Sequence, residues 1–211
     1  MGADAGARWH RQHLVLLAPG PVPGPDDRPH HAGLHPHGGR PARCPGPPDA
    51  ALATCGARGI AVNYFAYGSF LDQETLRTHC PHARVVGRAW LPNFRVEFNF
   101  LSRTYGGGVT SVEFAPGQVV HGVLYDLSPE EMAYLDTIED VPQGHYYRQT
   151  VAVVDEKGRI LQAEVYRTTH PAGPFTPTRR YVGLMLKGAR EHGLDPAYIR
   201  TLEDLYASLP A

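Results

Sequence analysis

Tyr67-Gly68-Ser69 is the first segment of the chain whose residue types could support chemistry. It follows an apolar run and precedes Asp72, which can begin a helix. Backbone N–H groups at a strand-to-helix bend are unpaired, and glycine lets a ligand approach the chain closely. The segment could therefore bind an anion or a developing oxyanion, with an ordinary tight turn as the alternative. Ser69 is a weak candidate nucleophile because no Gly-x-Ser-x-Gly elbow surrounds it.

Glu139 is the second candidate, at the end of Leu135-Asp136-Thr137-Ile138-Glu139-Asp140-Val141. It follows Leu135 by four positions, so in a helix the two side chains share one face. Burial on that face would raise the pKa of the carboxyl group toward neutrality, as a general acid-base residue requires. A solvated acidic helix end is the alternative, although acids at a helix C-terminus oppose the helix dipole.

Tyrosines form a third signal, in or beside the late strands and before a helix: Tyr146, Tyr147, Tyr166 and Tyr181. Tyrosine in a sheet usually belongs to the core with its hydroxyl group at the rim, so some of these are structural. A nucleophilic pair of Cys80 with a neighbouring histidine is disfavoured because adjacent residues at a helix end do not face each other. The histidines between positions 30 and 37 have no fixed geometry, and we predict neither a metal site nor a cofactor.

The segments that must position these residues are short apolar runs separated by turn signals, which predict a β-rich domain with a few helices. Turns are predicted at Pro92-Asn93, Pro116-Gly117 and Glu156-Lys157-Gly158. The predicted strands are Val62-Tyr67, Arg84-Trp90, Arg95-Phe100, Val109-Phe114, Val119-Asp126, Tyr146-Asp155 and Ile160-Thr168. Their regular spacing indicates a closed or nearly closed sheet of the α+β class.

Four helix starts are marked by capping residues. Ser128-Pro129-Glu130-Glu131 combines a serine cap, a proline at the first helical position and a glutamate three residues after the cap. That helix should run to about Ile138. The other predicted helices are Gln73 to His79 after Asp72, Arg179 to His192 after Thr178, and Pro196 to about Ser208 after Asp195.

Composition divides the 211 residues into a tail and one domain. Residues 1–61 are rich in Pro, Gly and His without apolar periodicity, so we predict a disordered tail. One hypothesis places the true initiator at Val62, through a GTG codon, and makes the tail a mis-annotated start. Residues 62–211 are the predicted catalytic domain.

Charge and cysteine content exclude several classes of partner. The formal net charge is -1 without a lysine-arginine stripe, so a nucleic-acid partner is not expected. The apolar run of residues 14–18 is too short to cross a membrane. Three cysteines without a CxxC pair favour a reduced, cytoplasmic setting.

Several motifs in order resemble the γ-glutamylcyclotransferases. Tyr64-Phe65-Ala66-Tyr67-Gly68-Ser69 is similar to the family's opening motif, and Leu135-Asp136-Thr137-Ile138-Glu139 to its catalytic segment. The resemblance extends from Val62 to the C-terminus. It includes Gly122-Val123-Leu124-Tyr125, Gly144-His145-Tyr146 and the helix exit from Lys187 to Leu194.

The resemblance implies a small mixed β-barrel with flanking helices that binds a small γ-glutamyl compound and releases 5-oxoproline. It makes Glu139 the acid-base residue and brings Tyr181 to the substrate. Tyr146 and Tyr166 stand where the family tends to keep tyrosine. The residues implied to line the γ-glutamyl pocket are Tyr64, Phe65, Ala66, Tyr67, Gly68 and Ser69.

One residue departs from the family pattern, because Phe70 replaces the asparagine of Tyr-Gly-Ser-Asn-Leu. If that asparagine only caps the next helix, Asp72 could take over its role; if it touches substrate, activity could change. The alternatives are therefore a non-catalytic γ-glutamyl-binding homologue, or a γ-glutamyl amide hydrolase or transferase. The leaving amine, read by loops such as 101–108 and 169–177, stays open, as does the oligomeric state, a homodimer included.

Overall fold

The computed structural model describes residues 61–210, which form a closed five-stranded barrel with helices packed against it. The elements are β1 (Val62–Ala66), a 3₁₀ turn (Ser69–Leu71), α1 (Gln73–Arg77), β2 (Arg84–Ser102), β3 (Gly107–Leu127), α2 (Pro129–Ile138), β4 (Tyr146–Asp155), β5 (Ile160–Thr168), α3 (Arg179–Glu191) and α4 (Pro196–Ser208). This confirms the predicted α+β barrel. The predicted tail and the histidines between positions 30 and 37 lie outside the described residues.

The strand order around the barrel is β1-β3-β2-β4-β5. All of the pairs are antiparallel except β1 with β5, where Tyr64 lies opposite Glu164 and a parallel pairing closes the barrel. The strands β4 and β5 form a hairpin with the predicted bounds, and Gly158 turns the chain with φ 72°. Closure leaves no free sheet edge in the barrel.

The turns predicted at Pro92-Asn93 and Pro116-Gly117 are wrong. These residues lie inside β2 and β3, which are continuous strands of 19 and 21 residues. Asn93 and Gly117 do adopt positive φ angles of 63° and 79°. They lie opposite each other at a register shift, where the Gly117 N–H donates to Asn93 Oδ1 at 3.0 Å. A bulge bends the hairpin there without reversing the chain. The reversal occurs instead beside Gly106, which has φ 69°.

The predicted helix starts are confirmed by their caps. Ser128 Oγ accepts the N–H of Glu131, and the Glu131 carboxylate accepts the N–H of Ser128, which completes the capping box. The side chains of Asp72, Thr178 and Asp195 accept backbone N–H groups at the starts of α1, α3 and α4. The helix ends fall within two residues of the predicted positions, as fraying at C-termini allows.

The buried side chains form two clusters. One, called here the strand-only cluster because it contains no helix residue, consists of strand residues and Tyr67, which directly follows β1. It includes Phe65, Leu91 and Val112. The other lies between the strands and the helices and includes Leu135 of α2 and Met185 of α3. Burial of this apolar surface stabilises the fold by about 25 cal/mol per Å² removed from water. Within residues 61–210, no helix combines the length and the apolar character that crossing a membrane requires.

Helix α3 is held against the chain just after the Tyr67-Gly68-Ser69 segment. A Cβ atom on Gly188 would overlap the backbone of Leu71 and Asp72, so only glycine permits this close approach. Lys187, the neighbouring residue, places its Nζ 2.8 Å from Asp72 Oδ1. Burial opposes ionisation of Asp72, but hydrogen bonds from Lys187 and Thr75 outweigh it and hold the pKa below its usual value. The position of the 3₁₀ turn is therefore fixed from α3.

Candidate active site

A cavity of about 310 Å³ opens between the 3₁₀ turn, the end of α2 and the tip of the β2–β3 hairpin. Eight of the ten predicted site residues line it: Tyr64, Tyr67, Gly68, Ser69, Glu139, Tyr146, Tyr166 and Tyr181. These residues come from three strands or their ends, from the 3₁₀ turn, and from two helices or their caps. The fold thus brings together side chains that are as much as 117 positions apart in the sequence.

Phe65 and Ala66 do not line this cavity, which corrects their predicted placement. Successive side chains of a strand point to opposite faces. Phe65 therefore enters the strand-only cluster, fully buried, while Tyr64 faces the helices. Ala66 returns to the helix-facing side, where its short side chain is also fully buried. Within β1 only Tyr64 lines the cavity, and Tyr67, Gly68 and Ser69 reach it after the strand has ended.

The turn after β1 presents backbone donors to the cavity. The N–H groups of Leu71 and Asp72 donate to the carbonyl oxygens of Gly68 and Ser69 at 3.0 and 3.1 Å. The N–H groups of Ser69 and Phe70 have no protein acceptor in the described part of the chain. The segment thus forms a tight turn and also presents two free N–H donors. The two interpretations of its sequence, a tight turn and an anion-binding site, are therefore compatible.

Gly68 is required by the packing of this turn. A Cβ atom there would lie 2.6 Å from Thr110 Oγ1 and 2.8 Å from the hydroxyl oxygen of Tyr181, closer than van der Waals contact permits. Thr110 Oγ1 and the Tyr181 hydroxyl group are themselves hydrogen-bonded at 2.7 Å. The glycine therefore lets the donors of the turn and the Thr110–Tyr181 pair share one wall of the cavity.

Glu139 is the first residue after α2, and its N–H donates to the carbonyl oxygen of Leu135 at 2.9 Å. The residue as a whole is partly exposed, but protein atoms surround its carboxyl group. No hydrogen bond or ion pair joins this carboxyl group to another side chain within residues 61–210. Burial, with a smaller contribution from the negative charge of Asp140, raises its pKa to about 7. It is therefore poised to gain or lose a proton near neutral pH.

Five tyrosine rings surround Glu139. Burial raises the pKa of each hydroxyl group, and the negative charge of Glu139 raises it further in every case; for Tyr181 the pKa reaches about 12. These hydroxyl groups stay neutral at physiological pH. The five residues are Tyr64, Tyr67, Tyr146, Tyr166 and Tyr181.

Four of these hydroxyl groups, all except that of Tyr64, are hydrogen-bonded to the surrounding protein. Tyr67 donates to the carbonyl oxygen of Tyr166 at 2.6 Å, and Tyr166 donates to Asp136 Oδ1 at 2.8 Å. Tyr146 donates to the carbonyl oxygen of Thr110 at 3.2 Å. The N–H of Thr110 donates in turn to the Tyr181 hydroxyl oxygen at 3.2 Å. The rings are thus fixed in position before any ligand binds.

Comparison with known proteins identifies the family of this chain. A family model described as the AIG2-like family matches residues 119–202. A gamma-glutamylcyclotransferase of Bos taurus is 30% identical over 151 residues, which cover 70% of this chain and 80% of that protein. The chain belongs to the γ-glutamylcyclotransferase-like family. This confirms the resemblance inferred from the motifs.

Further relatives within the γ-glutamylcyclotransferase-like family support the assignment. A gamma-glutamylcyclotransferase of Homo sapiens is 30% identical over 145 residues, covering 66% of this chain and 76% of that one. A solved structure named gamma-glutamyl cyclotransferase superposes with a TM-score of 0.65 at 28% identity, covering 68% of this chain and 86% of that chain. The barrel and its flanking helices are therefore the family's fold.

Phe70 is the departure from the family motif, and it forms part of the cavity wall. Its ring is buried and meets Tyr64 and His79 edge-on, with centroids 6.5 and 5.8 Å apart. Asp72 caps the next helix, because its Oδ2 accepts the N–H of Thr75 at 3.0 Å. Helix capping therefore does not need an asparagine at position 70, and the effect of Phe70 falls on the cavity itself.

Sequence reasoning missed much of the far wall, which the β2–β3 hairpin supplies. Thr110 is the main omission, since it contacts both Tyr146 and Tyr181. It carries no local motif, and its position depends on the length of the hairpin. The other lining residues are Thr75, His79, Phe100, Ser102, Thr104, Tyr105, Val109, Ile138 and Asp140.

Neither a metal site nor a reactive cysteine is found in the described part of the chain. Between Ala61 and Pro210, no group of three His, Cys, Asp or Glu residues could hold a metal ion. Cys80 is buried, and burial raises the pKa of its thiol to about 11, so little thiolate forms at neutral pH. The nucleophilic role for Cys80 that the sequence made conceivable therefore has no support.

Proposed function

We propose that this chain is a γ-glutamylcyclotransferase that releases 5-oxoproline from γ-glutamyl amino acids, peptides or amines. The observation that carries the proposal is the carboxyl group of Glu139, unpaired, enclosed and with a pKa raised to about 7, in a cavity that also offers free backbone donors. The proposal includes a small γ-glutamyl compound as the partner and a cytoplasmic site of action.

The first step needs no protein nucleophile. The α-amine of a γ-glutamyl compound can close a five-membered ring on its own γ-carbonyl carbon. The enzyme's first contribution is therefore to hold the folded conformation in which these atoms meet. The cavity has fixed aromatic walls, including Tyr64 and Tyr146, that suit this task.

Glu139 would move the proton. As a carboxylate it accepts a proton from the substrate's α-ammonium group, so that the nitrogen can attack. As a carboxylic acid it then donates the proton to the leaving nitrogen while the amide bond breaks. A pKa near the working pH serves both steps. The attacking nitrogen gives up a second proton as the neutral lactam forms, and this proton passes through Glu139 to the released amine, which leaves as an ammonium. Ring closure and amide cleavage together consume no water and leave Glu139 ionised again.

The backbone donors would stabilise the charge that develops on the γ-carbonyl oxygen. The N–H groups of Ser69 and Phe70 are free, and each such donor is typically worth roughly 3 kcal/mol in the transition state. Gly68 keeps the turn close enough to the cavity for them to reach the substrate.

The test is to incubate the purified protein with γ-glutamyl-alanine and to measure 5-oxoproline. We expect Glu139→Gln to abolish product formation, because the amide cannot exchange the proton. Glu130→Gln, an exposed change on the same helix, is the matched control and should retain activity. Activity that survives Glu139→Gln would falsify the mechanism, and glutamate as the product would indicate a hydrolase.

A second candidate function is favoured by Phe70. An aromatic wall at this position could leave a protein that binds γ-glutamyl compounds without converting them. Calorimetric binding of γ-glutamyl-alanine without 5-oxoproline would support this alternative, and Phe70→Asn should then restore turnover. A screen of γ-glutamyl amino acids, peptides and amines would identify the leaving group.

A further inference from the structure

Three phenol groups of the cavity give their protons to oxygen atoms that cannot donate in return. Tyr67 donates to the carbonyl oxygen of Tyr166, and Tyr146 to the carbonyl oxygen of Thr110. The hydroxyl group of Tyr166 donates to a carboxylate oxygen of Asp136. Carbonyl and carboxylate oxygens accept only, so the direction of these three hydrogen bonds is unambiguous.

A hydroxyl group has one proton and two lone pairs. Once the proton is committed to the protein, the oxygen can offer a ligand only a lone pair. This side of the cavity therefore accepts hydrogen bonds, and the carboxylate of Glu139 adds negative charge to it. The opposite character is found at the turn, where the N–H groups of Ser69 and Phe70 only donate. The cavity thus has an accepting wall and a donating wall.

Asp136 fixes the direction at Tyr166. Its Oδ1 receives both the Tyr166 hydroxyl group at 2.8 Å and Arg148 Nε at 3.0 Å. The nearest alternative acceptor for the hydroxyl group, the carbonyl oxygen of Met132, is 3.5 Å away, at the limit of a hydrogen bond. Asp136 also precedes Glu139 by three residues, so the end of α2 positions both groups.

We propose that the hydroxyl oxygens of Tyr67, Tyr146 and Tyr166 form an ammonium-binding wall, in which Asp136 is the positioning residue for Tyr166. The inference rests on the proposed function, where the bound group is the α-ammonium of the γ-glutamyl moiety. An ammonium on this wall lies beside Glu139, which removes its proton. The γ-carbonyl oxygen is then directed to the N–H groups of the turn. Tyr64 and Tyr181 do not belong to the wall, because their protons are not committed to an obligate acceptor.

The test compares two ligands in the full chain carrying Glu139→Gln, which blocks turnover and removes the carboxylate charge. The ligands are γ-glutamyl-alanine and glutaryl-alanine, which lacks the α-ammonium group. We expect calorimetry to give at least about tenfold tighter binding of the ammonium ligand, since hydrogen bonds to charged groups are the stronger ones. Adding Tyr166→Phe should reduce this ratio about fivefold, whereas Tyr206→Phe, on α4 outside the cavity, should leave it unchanged.

Asp136 is tested by a matched pair in the same Glu139→Gln background. Asp136→Leu removes the acceptor and should lower the ratio as Tyr166→Phe does. Asp136→Asn keeps an oxygen that can take the place of Oδ1 and should retain most of the ratio. A purely structural role for Asp136 would weaken both ligands together and leave the ratio unchanged.

Equal binding of the two ligands, or a ratio that Tyr166→Phe does not change, would overturn the ammonium wall. If the unmodified protein still forms 5-oxoproline, the proposed function survives that outcome. If the protein prefers the ammonium ligand but forms no 5-oxoproline, the wall stands and the reaction is wrong. Failure to bind either ligand, together with no 5-oxoproline from the unmodified protein, would overturn both proposals.

Discussion

Neighbouring residues of β1 enter two very different environments. Phe65 lies in the strand-only cluster among aliphatic side chains such as Leu91 and Val112, and no ionisable group other than the Tyr67 phenol belongs to that cluster. Tyr64 faces the cavity, where hydroxyl groups, free N–H groups and an unpaired carboxyl group are packed together. The contrast shows that the barrel stabilises a site whose polar groups are costly to bury.

The largest expected effect comes from a substitution in the buried interior of the barrel. Phe65→Ala should lower the free energy of unfolding by about 4 kcal/mol, because it leaves a cavity in a fully buried cluster. Urea denaturation followed by circular dichroism measures it. A loss below about 1 kcal/mol would mean that the cluster collapses around the gap and that the barrel is less rigid than its packing indicates.

The Glu139 carboxyl group in the cavity should make the free energy of unfolding depend on pH, whereas the apolar cluster around Phe65 should not. The folded pKa of Glu139 is about 7, above its ordinary value of 4.5. Between these pH values the folded protein keeps a proton that the unfolded chain has released. The free energy of unfolding should therefore fall as pH rises from about 4.5 to 7, by up to about 3 kcal/mol.

The measurement is urea denaturation across this pH range for the wild type, Glu139→Gln and Phe65→Ala. Glu139→Gln should flatten the decline, whereas Phe65→Ala should lower the whole curve without changing its slope. An unchanged slope in Glu139→Gln would show that the carboxyl group is less enclosed than its position indicates. In the wild type, kcat/KM should rise through about pH 7 as the carboxylate forms.

Gly68→Ala should affect activity more than stability. The added methyl group would displace the turn or the Thr110–Tyr181 pair, and a displacement of about 1 Å at a catalytic group can cost about 100-fold in rate. Gly183→Ala is the control, because its methyl group would meet only Tyr206 at 3.4 Å. Steady-state kinetics with γ-glutamyl-alanine, beside thermal unfolding, separates the two effects. Equal rates in both variants would contradict the close packing of the turn.

The smallest expected effect distinguishes two tyrosines that line the same cavity. Tyr67→Phe leaves the buried carbonyl oxygen of Tyr166 without this donor and should cost about 1 to 2 kcal/mol of unfolding free energy. Tyr64→Phe removes a hydroxyl group that has no hydrogen-bond partner among residues 61–210, and should change it by less than about 0.5 kcal/mol. Equal losses would mean that Tyr64 has a role in folding that its contacts do not indicate.

Local chemistry made the helices and the β4–β5 hairpin predictable. The capping box at Ser128 and the turn before Gly158 specify their own geometry within a few residues. The bend at Asn93 and Gly117 was misread because a positive φ is common to turns and bulges. Which of the two forms depends on whether the strands remain paired beyond it, and that pairing is a long-range property.

Site residues that belong to a local sequence motif could be predicted, and those that do not could not. Glu139 could be placed by its helical spacing from Leu135, and Gly68 by its turn. Thr110 could not, because its importance comes from the Tyr146 and Tyr181 hydroxyl groups, which lie 36 and 71 positions away along the chain. Motif resemblance identified the family, while the orientation of each side chain required the three-dimensional structure.

The contact of Gly188 with Leu71 has a consequence for the order of events during synthesis. The turn that carries the backbone donors is among the first parts of the domain to leave the ribosome, whereas the helix that fixes it is among the last. A nascent chain that has not yet extended past Glu191 therefore lacks the support that sets the turn. Under the proposed function, chains that end before Gly188 would be inert even if their barrel had formed.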